Sequence, residues 1–299
     1  MQPEELRKRL QGVFTVVVTP FRPDYELDTE GLKRNLDFLI ANGVHGLIIG
    51  GSLGEFSSLS MEERRLLFRT AVDHVAGRLP VVVCTSHSNT REAVELTSYA
   101  HSIGADGVMV TAPYYAHRPE EGIVRHYRAV ADAADIGILV YNTSRAGVNL
   151  SPKLISRLAE IPRVVGVKQG TRDISEQDAT VRLVGHKIRV FSGSEVMMLP
   201  CFALGAVGTT SVSSSFMPQV MLECYNAAME GDLCRAVRAF DGWAEYRLFA
   251  SAHGQPATVK AAMQMVGLAA GPVRLPMLDL PEEARGQLRS ILRNMGLIP

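Results

Sequence analysis

Eight short β-branched runs, separated by amphipathic helical stretches, predict an α/β protein: a (β/α)8 TIM barrel with a C-terminal helical extension. The runs fall at 13–20, 46–51, 80–85, 107–111, 137–142, 164–168, 188–192 and 206–212, with helix-start signals between them. Strand signals stop after about residue 231, where 232–251, 256–266 and 281–295 all read as helix. The expected organisation is a barrel over 1–230 and an extension over 231–299. An open doubly wound sheet is the competing architecture, but no run is followed by the G-x-G-x-x-G turn of a dinucleotide-binding version.

The helices explain themselves locally. Leu32, Leu36, Leu39 and Ile40 recur at helical spacing, an apolar stripe that can cover a parallel sheet. Ser60 to Glu63 and Asn89 to Glu92 read as capping boxes or near relatives, and Ser151-Pro152 as an N-cap followed by proline at the first helical position.

Composition narrows the partner. The chain has 299 residues, 46% hydrophobic and 21% charged, enough for a large core. Lysine plus arginine equals aspartate plus glutamate at 31 each, so no net field favours nucleic acid or an anionic membrane, and a small molecule is the expected partner. The N-terminal residues lack the apolar stretch of a signal peptide, and no window offers eighteen uninterrupted apolar residues, so the expected location is cytoplasmic. Cys84, Cys201, Cys224 and Cys234 form no C-x-x-C pair and read as reduced, mostly buried thiols.

In a barrel of this kind the reactive groups lie at the C-terminal ends of the strands. Lys168 ends the apolar run Val164-Val165-Gly166-Val167. An amine withdrawn from water loses part of the advantage of its charged form, and the neutral form attacks carbonyls. A snorkelling side chain or a buried ion pair is the competing explanation. Strand four runs into Thr111-Ala112-Pro113-Tyr114-Tyr115 and strand five into Tyr141-Asn142, bringing phenols to the same end, where one can shuttle protons. The turn Gly50-Gly51-Ser52-Leu53-Gly54-Glu55 presents backbone N–H groups and the Ser52 hydroxyl to a carboxylate. Arg145, just past strand five, is a candidate carboxylate clamp, with a solvated surface group equally compatible. His45, His87 and His117 show no metal-ligand spacing, and Asp106, Asp173 and Glu195 read as loop or helix-start carboxylates.

In this order, Gly-Ser-Leu-Gly-Glu, Ala-Pro-Tyr-Tyr, Tyr-Asn and Val-Gly-Val-Lys resemble the dihydrodipicolinate synthase and N-acetylneuraminate lyase superfamily, from Thr19-Pro20-Phe21 to Arg274-Leu275-Pro276-Met277. The resemblance implies a homotetramer, a dimer of dimers, whose lysine condenses with pyruvate or another 2-oxo acid without metal or other cofactor. It implies that Lys168 is that lysine, Tyr141 the acid–base phenol, Ser52 a carboxylate-binding and relay hydroxyl, and Tyr115 a residue reaching a neighbouring subunit's site. Gly51, Leu53, Arg145, Gly193 and Thr210 complete the implied binding positions. Two departures stand out: Leu53 replaces a hydroxyl common in the family, and the loop after Tyr141 lacks a common proline and is one residue shorter, which bears on where Arg145 points. Both fall on the side of the second substrate. The leading expectation is therefore a Schiff-base lyase or aldolase cleaving, condensing or dehydrating a 2-keto-3-deoxy sugar acid type of substrate. A true 4-hydroxy-tetrahydrodipicolinate synthase and a non-catalytic 2-oxo-acid-binding protein are the alternatives.

Overall fold

The computed structural model describes residues 1–115 and 118–299, and of Arg145 the backbone only. His117 and the Arg145 side chain lie outside the described residues. Eight strands, β1 (Gly12–Val16), β2 (Gly46–Ile49), β3 (Val81–Cys84), β4 (Gly107–Thr111), β5 (Gly137–Asn142), β6 (Val164–Gln169), β7 (Arg189–Ser192) and β8 (Gly208–Ser211), close a barrel in sequence order. The pairs from β3 to β8 are parallel. Every strand residue except Arg189 is buried, which is why most of the strands read as apolar runs rather than as alternating ones, β8 with Gly-Thr-Thr-Ser being the exception.

A helix follows each strand: Thr29–Ala41, Met61–Val75, Thr90–Ser102, Glu120–Ala133, Pro152–Leu158, Ile174–Val184, Met198–Ala203 and Pro218–Met229. Leu32, Leu36 and Leu39 are buried as their spacing predicts, and Ile40 half-buried. The Ser60 box is complete, the Glu63 N–H donating to Ser60 Oγ at 3.2 Å and the Ser60 N–H to Glu63 Oε2 at 2.8 Å. Asn89 makes half of one: its side chain accepts from the Arg91 N–H at 2.9 Å. The helix expected over 232–251 is two, Leu233–Asp241 and Ala244–His253. The break falls at Gly242, a poor helix former, and Trp243, whose φ of −123° leaves the helical region and whose indole is buried edge-on against Phe240 at 5.7 Å. Helices Ala257–Met265 and Glu282–Asn294 complete the extension. Among the described residues, no helix is long and apolar enough to cross a membrane.

The contacts group the chain into two compact units, residues 1–14 with 80–210 and residues 15–79 with 211–299. In the first, the short helix Pro3–Arg9 plugs the N-terminal ends of the strands with Leu6, which is fully buried. Gly107 and Gly137 open β4 and β5 because a Cβ at either position would collide with Leu6 Cδ2. A bulge then sets the phase of β6: Ile138 pairs with Val164, but Leu139 pairs with Gly166, skipping Val165. The shift pairs Tyr141 with Lys168; an unbulged strand would pair Lys168 with Asn142 and turn the amine to the opposite face.

His126 is a cost built into this unit. It is 2% exposed, its Nδ1 lies 3.0 Å from Thr90 Oγ1, and burial pushes its imidazole down to about 4. The unfolded chain takes up a proton near pH 6.5 where the native state does not, so stability falls as pH drops from about 6.5 towards 4, by up to about 3 kcal/mol. Chemical unfolding followed between about pH 7 and pH 5 should show this slope in the wild type and lose it in His126→Phe. Equal slopes in both would contradict it.

In the second unit, Asp28 caps Thr29–Ala41 by accepting from the Gly31 N–H at 2.8 Å. Buried Asn35 bridges the C-terminal segment, donating to the Ala269 carbonyl at 2.6 Å and accepting from its N–H at 3.1 Å.

Candidate active site

Adjacent parallel strands present in-register side chains to the same face. Thr111, Tyr141, Lys168 and Phe191 therefore form a row across β4, β5, β6 and β7. Gly137, Leu139 and Tyr141 alternate onto the face that meets Leu6, so the row points into the barrel. Lys168 is 4% exposed and Tyr141 7% exposed, and Nζ sits over the phenol ring 4.0 Å from its centroid. Among the described residues, Nζ makes no hydrogen bond and no ion pair.

A second buried lysine supplies the contrast. Lys260 is 1% exposed, and its Nζ pairs with Glu55 Oε1 at 2.5 Å and donates to the Pro272 carbonyl at 2.7 Å. It also sits 4.2 Å from the Phe21 ring centroid, and burial pulls its pKa down against the opposing pull of Glu55. Lys260 is a partnered structural cation, whereas among the described residues Lys168 Nζ meets the Tyr141 ring face and no carboxylate or carbonyl.

Behind the row, a chain of amides fixes the strand ends. Asn142 Nδ2 donates to Gln169 Oε1 at 2.7 Å, and Asn142 Oδ1 accepts from the Leu150 N–H at 2.8 Å. Gln169 Nε2 donates to Thr180 Oγ1 at 3.0 Å, and the Gln169 carbonyl accepts from Gln177 Nε2 at 3.2 Å and from the Gly193 N–H at 2.7 Å. Asn142 and Gln169 directly follow Tyr141 and Lys168, so the chain holds these two side chains in register from outside the wall. Gly193 is glycine by necessity, since a Cβ there would sit 2.9 Å from the Gln169 backbone. Thr210 is buried with Oγ1 3.5 Å from the Ser192 carbonyl.

The turn after β2 belongs to the other unit. Gly50 takes φ 64°, a left-handed conformation suited to glycine, and a Cβ there would press on Phe68. Gly51 and Leu53 are buried and Ser52 is half-buried. Glu55, itself left-handed at φ 55°, anchors the turn: Oε1 meets Lys260, and Oε2 accepts from the Arg274 N–H at 2.9 Å. Arg274 in turn pairs with Glu63 at 2.5 Å. Sequence reasoning passed over this ion network and the amide chain alike. The lone Lys260 among Val259, Ala261 and Ala262 was the available signal.

Tyr115 stands apart, fully exposed at φ 79°. His45 stacks edge-on to Tyr225, His87 accepts from the Asn89 N–H, Asp173 caps Ile174–Val184 and Asp106 accepts from the Val81 N–H, all local structural roles. Cys84, Cys201 and Cys224 are buried free thiols and Cys234 is exposed. Among the described residues, no group of three or more histidines, cysteines or carboxylates is arranged to hold a metal. A depression of about 540 Å³ opens at the N-terminal ends of β6 and β7, away from Lys168; its charges are already paired, Arg7 with Glu4 and Lys187 with Glu160.

A buried amine against a phenol, with no hydrogen bond or ion pair among the described residues, is an arrangement suited to condensing with a carbonyl. The model of the dihydrodipicolinate synthetase family matches residues 9–295. The 4-hydroxy-tetrahydrodipicolinate synthase of Methanothrix thermoacetophila is 37% identical over 288 residues, covering 96% of this chain and 97% of its own. The chloride-inhibited dihydrodipicolinate synthase from Acinetobacter baumannii, solved with pyruvate, superposes with a TM-score of 0.93 at 33% identity, over 97% of this chain and 100% of that one. A monomeric dihydrodipicolinate synthase variant superposes with a TM-score of 0.94 at 31% identity, over 98% and 99%. The chain belongs to the dihydrodipicolinate synthetase family and is a lyase of the class I, lysine Schiff-base type.

Proposed function

We propose that Lys168 forms an imine with pyruvate and that the chain catalyses the 4-hydroxy-tetrahydrodipicolinate synthase reaction. The single observation that carries the first half is the buried Lys168 amine with no hydrogen bond or ion pair among the described residues, 4.0 Å from the Tyr141 ring centroid. The second half rests on the names of the relatives and reverses the preference for a sugar acid drawn from Leu53 and the short loop. The product named is a seven-carbon nitrogen ring with two carboxylates; subtracting pyruvate leaves a four-carbon 2-amino-4-oxo acid as the second substrate.

The Lys168 amine attacks the pyruvate ketone, and loss of water gives an iminium that acts as an electron sink. Removal of a methyl proton yields an enamine, which adds to the aldehyde of the second substrate. Attack of the amino group on the imine carbon closes the ring and releases Lys168. Tyr141 moves the protons at the imine carbon and nitrogen, and Ser52 with the Gly51 and Leu53 backbone receives the pyruvate carboxylate. Gly193 and Thr210 line the keto-acid side, and Arg145 meets the second substrate's carboxylate. We infer a homotetramer, a dimer of dimers, acting in the cytoplasm, in which the exposed Tyr115 completes a neighbouring subunit's proton relay; a light-scattering mass of a single chain would contradict that assembly.

One observation favours a second reading, cleavage or dehydration of a 2-keto-3-deoxy sugar acid: Leu53 is 3% exposed and offers an apolar wall where the family often has a hydroxyl. Incubation with pyruvate and the 2-amino-4-oxo acid, beside a panel of 2-keto-3-deoxy sugar acids, separates the two. Consumption of both condensation partners supports the synthase, and pyruvate release from a sugar acid without condensation supports the second reading. An adduct on Lys168 without any turnover would mark a non-catalytic 2-oxo-acid binder.

A further inference from the structure

The loop that follows Tyr141 and Asn142 is tied down along its length, all within the unit formed by residues 1–14 and 80–210. Thr143 and Val148 form an antiparallel bridge that closes its base. Inside that bridge the Ala146 N–H donates to the Thr143 carbonyl at 3.0 Å and the Gly147 N–H to the Ser144 carbonyl at 2.9 Å. Asn149 holds the exit: its Oδ1 accepts from Asn142 Nδ2 at 2.9 Å, and its Nδ2 donates to both carboxylate oxygens of Glu176 at 2.9 Å. The tip is held from another loop. Half-buried Arg118, between β4 and the helix Glu120–Ala133, donates from Nη2 to the Ala146 carbonyl at 2.5 Å. Gly147 takes φ 70°, a conformation suited to glycine, and a Cβ there would touch that same Nη2 at 3.4 Å. Pro119 follows Arg118 and confines its backbone to the extended region, which gives the side chain a fixed origin.

We propose that Arg118 is a positioning residue for the second substrate: by holding the Ala146 carbonyl it fixes the tip of this loop, and with it the backbone of Arg145 one residue earlier. The supports of the two substrates are separate. Lys168 and Tyr141 are kept in register from the β6 side, by the Asn142–Gln169–Thr180 chain that runs into the helix Ile174–Val184. Arg118 acts from the β4 side, on the far end of the loop. A guanidinium suits the task, because a charged donor makes a stronger bond to a carbonyl than a neutral one and its planar fork keeps its direction. Losing that bond releases the tip and leaves the strand ends in place, so the acceptor is held less well while the imine still forms. The inference rests on the reading above, in which Arg145 meets the second substrate's carboxylate.

Arg118→Met keeps an apolar stem and deletes the guanidinium. Borohydride trapping with pyruvate should label Lys168 equally in wild type and variant, and exchange of the pyruvate methyl protons in deuterated water, which needs only the imine and enamine, should stay within about twofold. The KM for the 2-amino-4-oxo acid should rise about tenfold, with kcat changing less. Arg118→Lys, which retains a charged donor, should recover part of the loss. Gly147→Ala disturbs the same contact from the loop side and should also raise that KM, and the double variant should raise it by less than the product of the two separate effects. An unchanged KM in Arg118→Met, a parallel fall in methyl exchange, or a wild-type KM in Gly147→Ala overturns the positioning role and leaves the imine intact. Arg145→Met tests the reading beneath it: a wild-type KM for the 2-amino-4-oxo acid there overturns that reading, and the role of Arg118 with it.

Discussion

Lys168→Met will abolish turnover, by at least about 10⁴-fold, while leaving the midpoint of urea unfolding unchanged or higher. Methionine matches the length and apolar stem of lysine and deletes only the amine. Since Nζ has no hydrogen bond or ion pair among the described residues, its removal orphans no partner. Activity and stability therefore move independently, the signature of a group kept for chemistry at some cost to the fold. A purely structural lysine behaves oppositely, and a variant that unfolds several kcal/mol more easily would assign Lys168 to that class.

Lys260→Met gives the mirror image. Glu55 is fully buried and Lys260 is 1% exposed, so removing the cation strands a carboxylate away from water and should cost about 3–5 kcal/mol. Activity should fall with it, because Glu55 also holds the Arg274 N–H and anchors the turn that carries Ser52 and Leu53. In the double variant with Glu55→Gln the stranded charge is gone and much of the lost stability should return, a coupling readable in a double-mutant cycle of unfolding free energies. Additive losses would show that the pair does not act as a unit.

The two lysines also show what a sequence discloses. Each is a lone amine in an apolar window, one in Val-Gly-Val-Lys on a strand and one in Thr-Val-Lys-Ala-Ala on a helix, and by composition they are indistinguishable. What separates them is Glu55, 205 residues before Lys260 in the chain, and only the fold brings that carboxylate to Lys260. The barrel was legible because strands buried on both faces cannot avoid writing continuous β-branched runs. Position along a strand was legible too, which is how Tyr141 and Lys168 were placed at strand ends. Their facing one another was not, since it depends on the skipped residue Val165, whose side chain is the same as that of the paired Val164 before it. The Asn142–Gln169–Thr180 chain stayed hidden for the same reason: amides at strand ends look like solvated loop residues until a helix covers them. The break at Gly242 coincides with the buried Trp243 indole, and tertiary burial is something that local helix periodicity does not register.

Borohydride reduction in the presence of pyruvate, followed by peptide mapping, tests the central claim most directly. The reduced pyruvyl mass should appear on the peptide containing Lys168 and be absent from the one containing Lys260. No adduct across a panel of 2-oxo acids, or an adduct confined to another lysine, would contradict it.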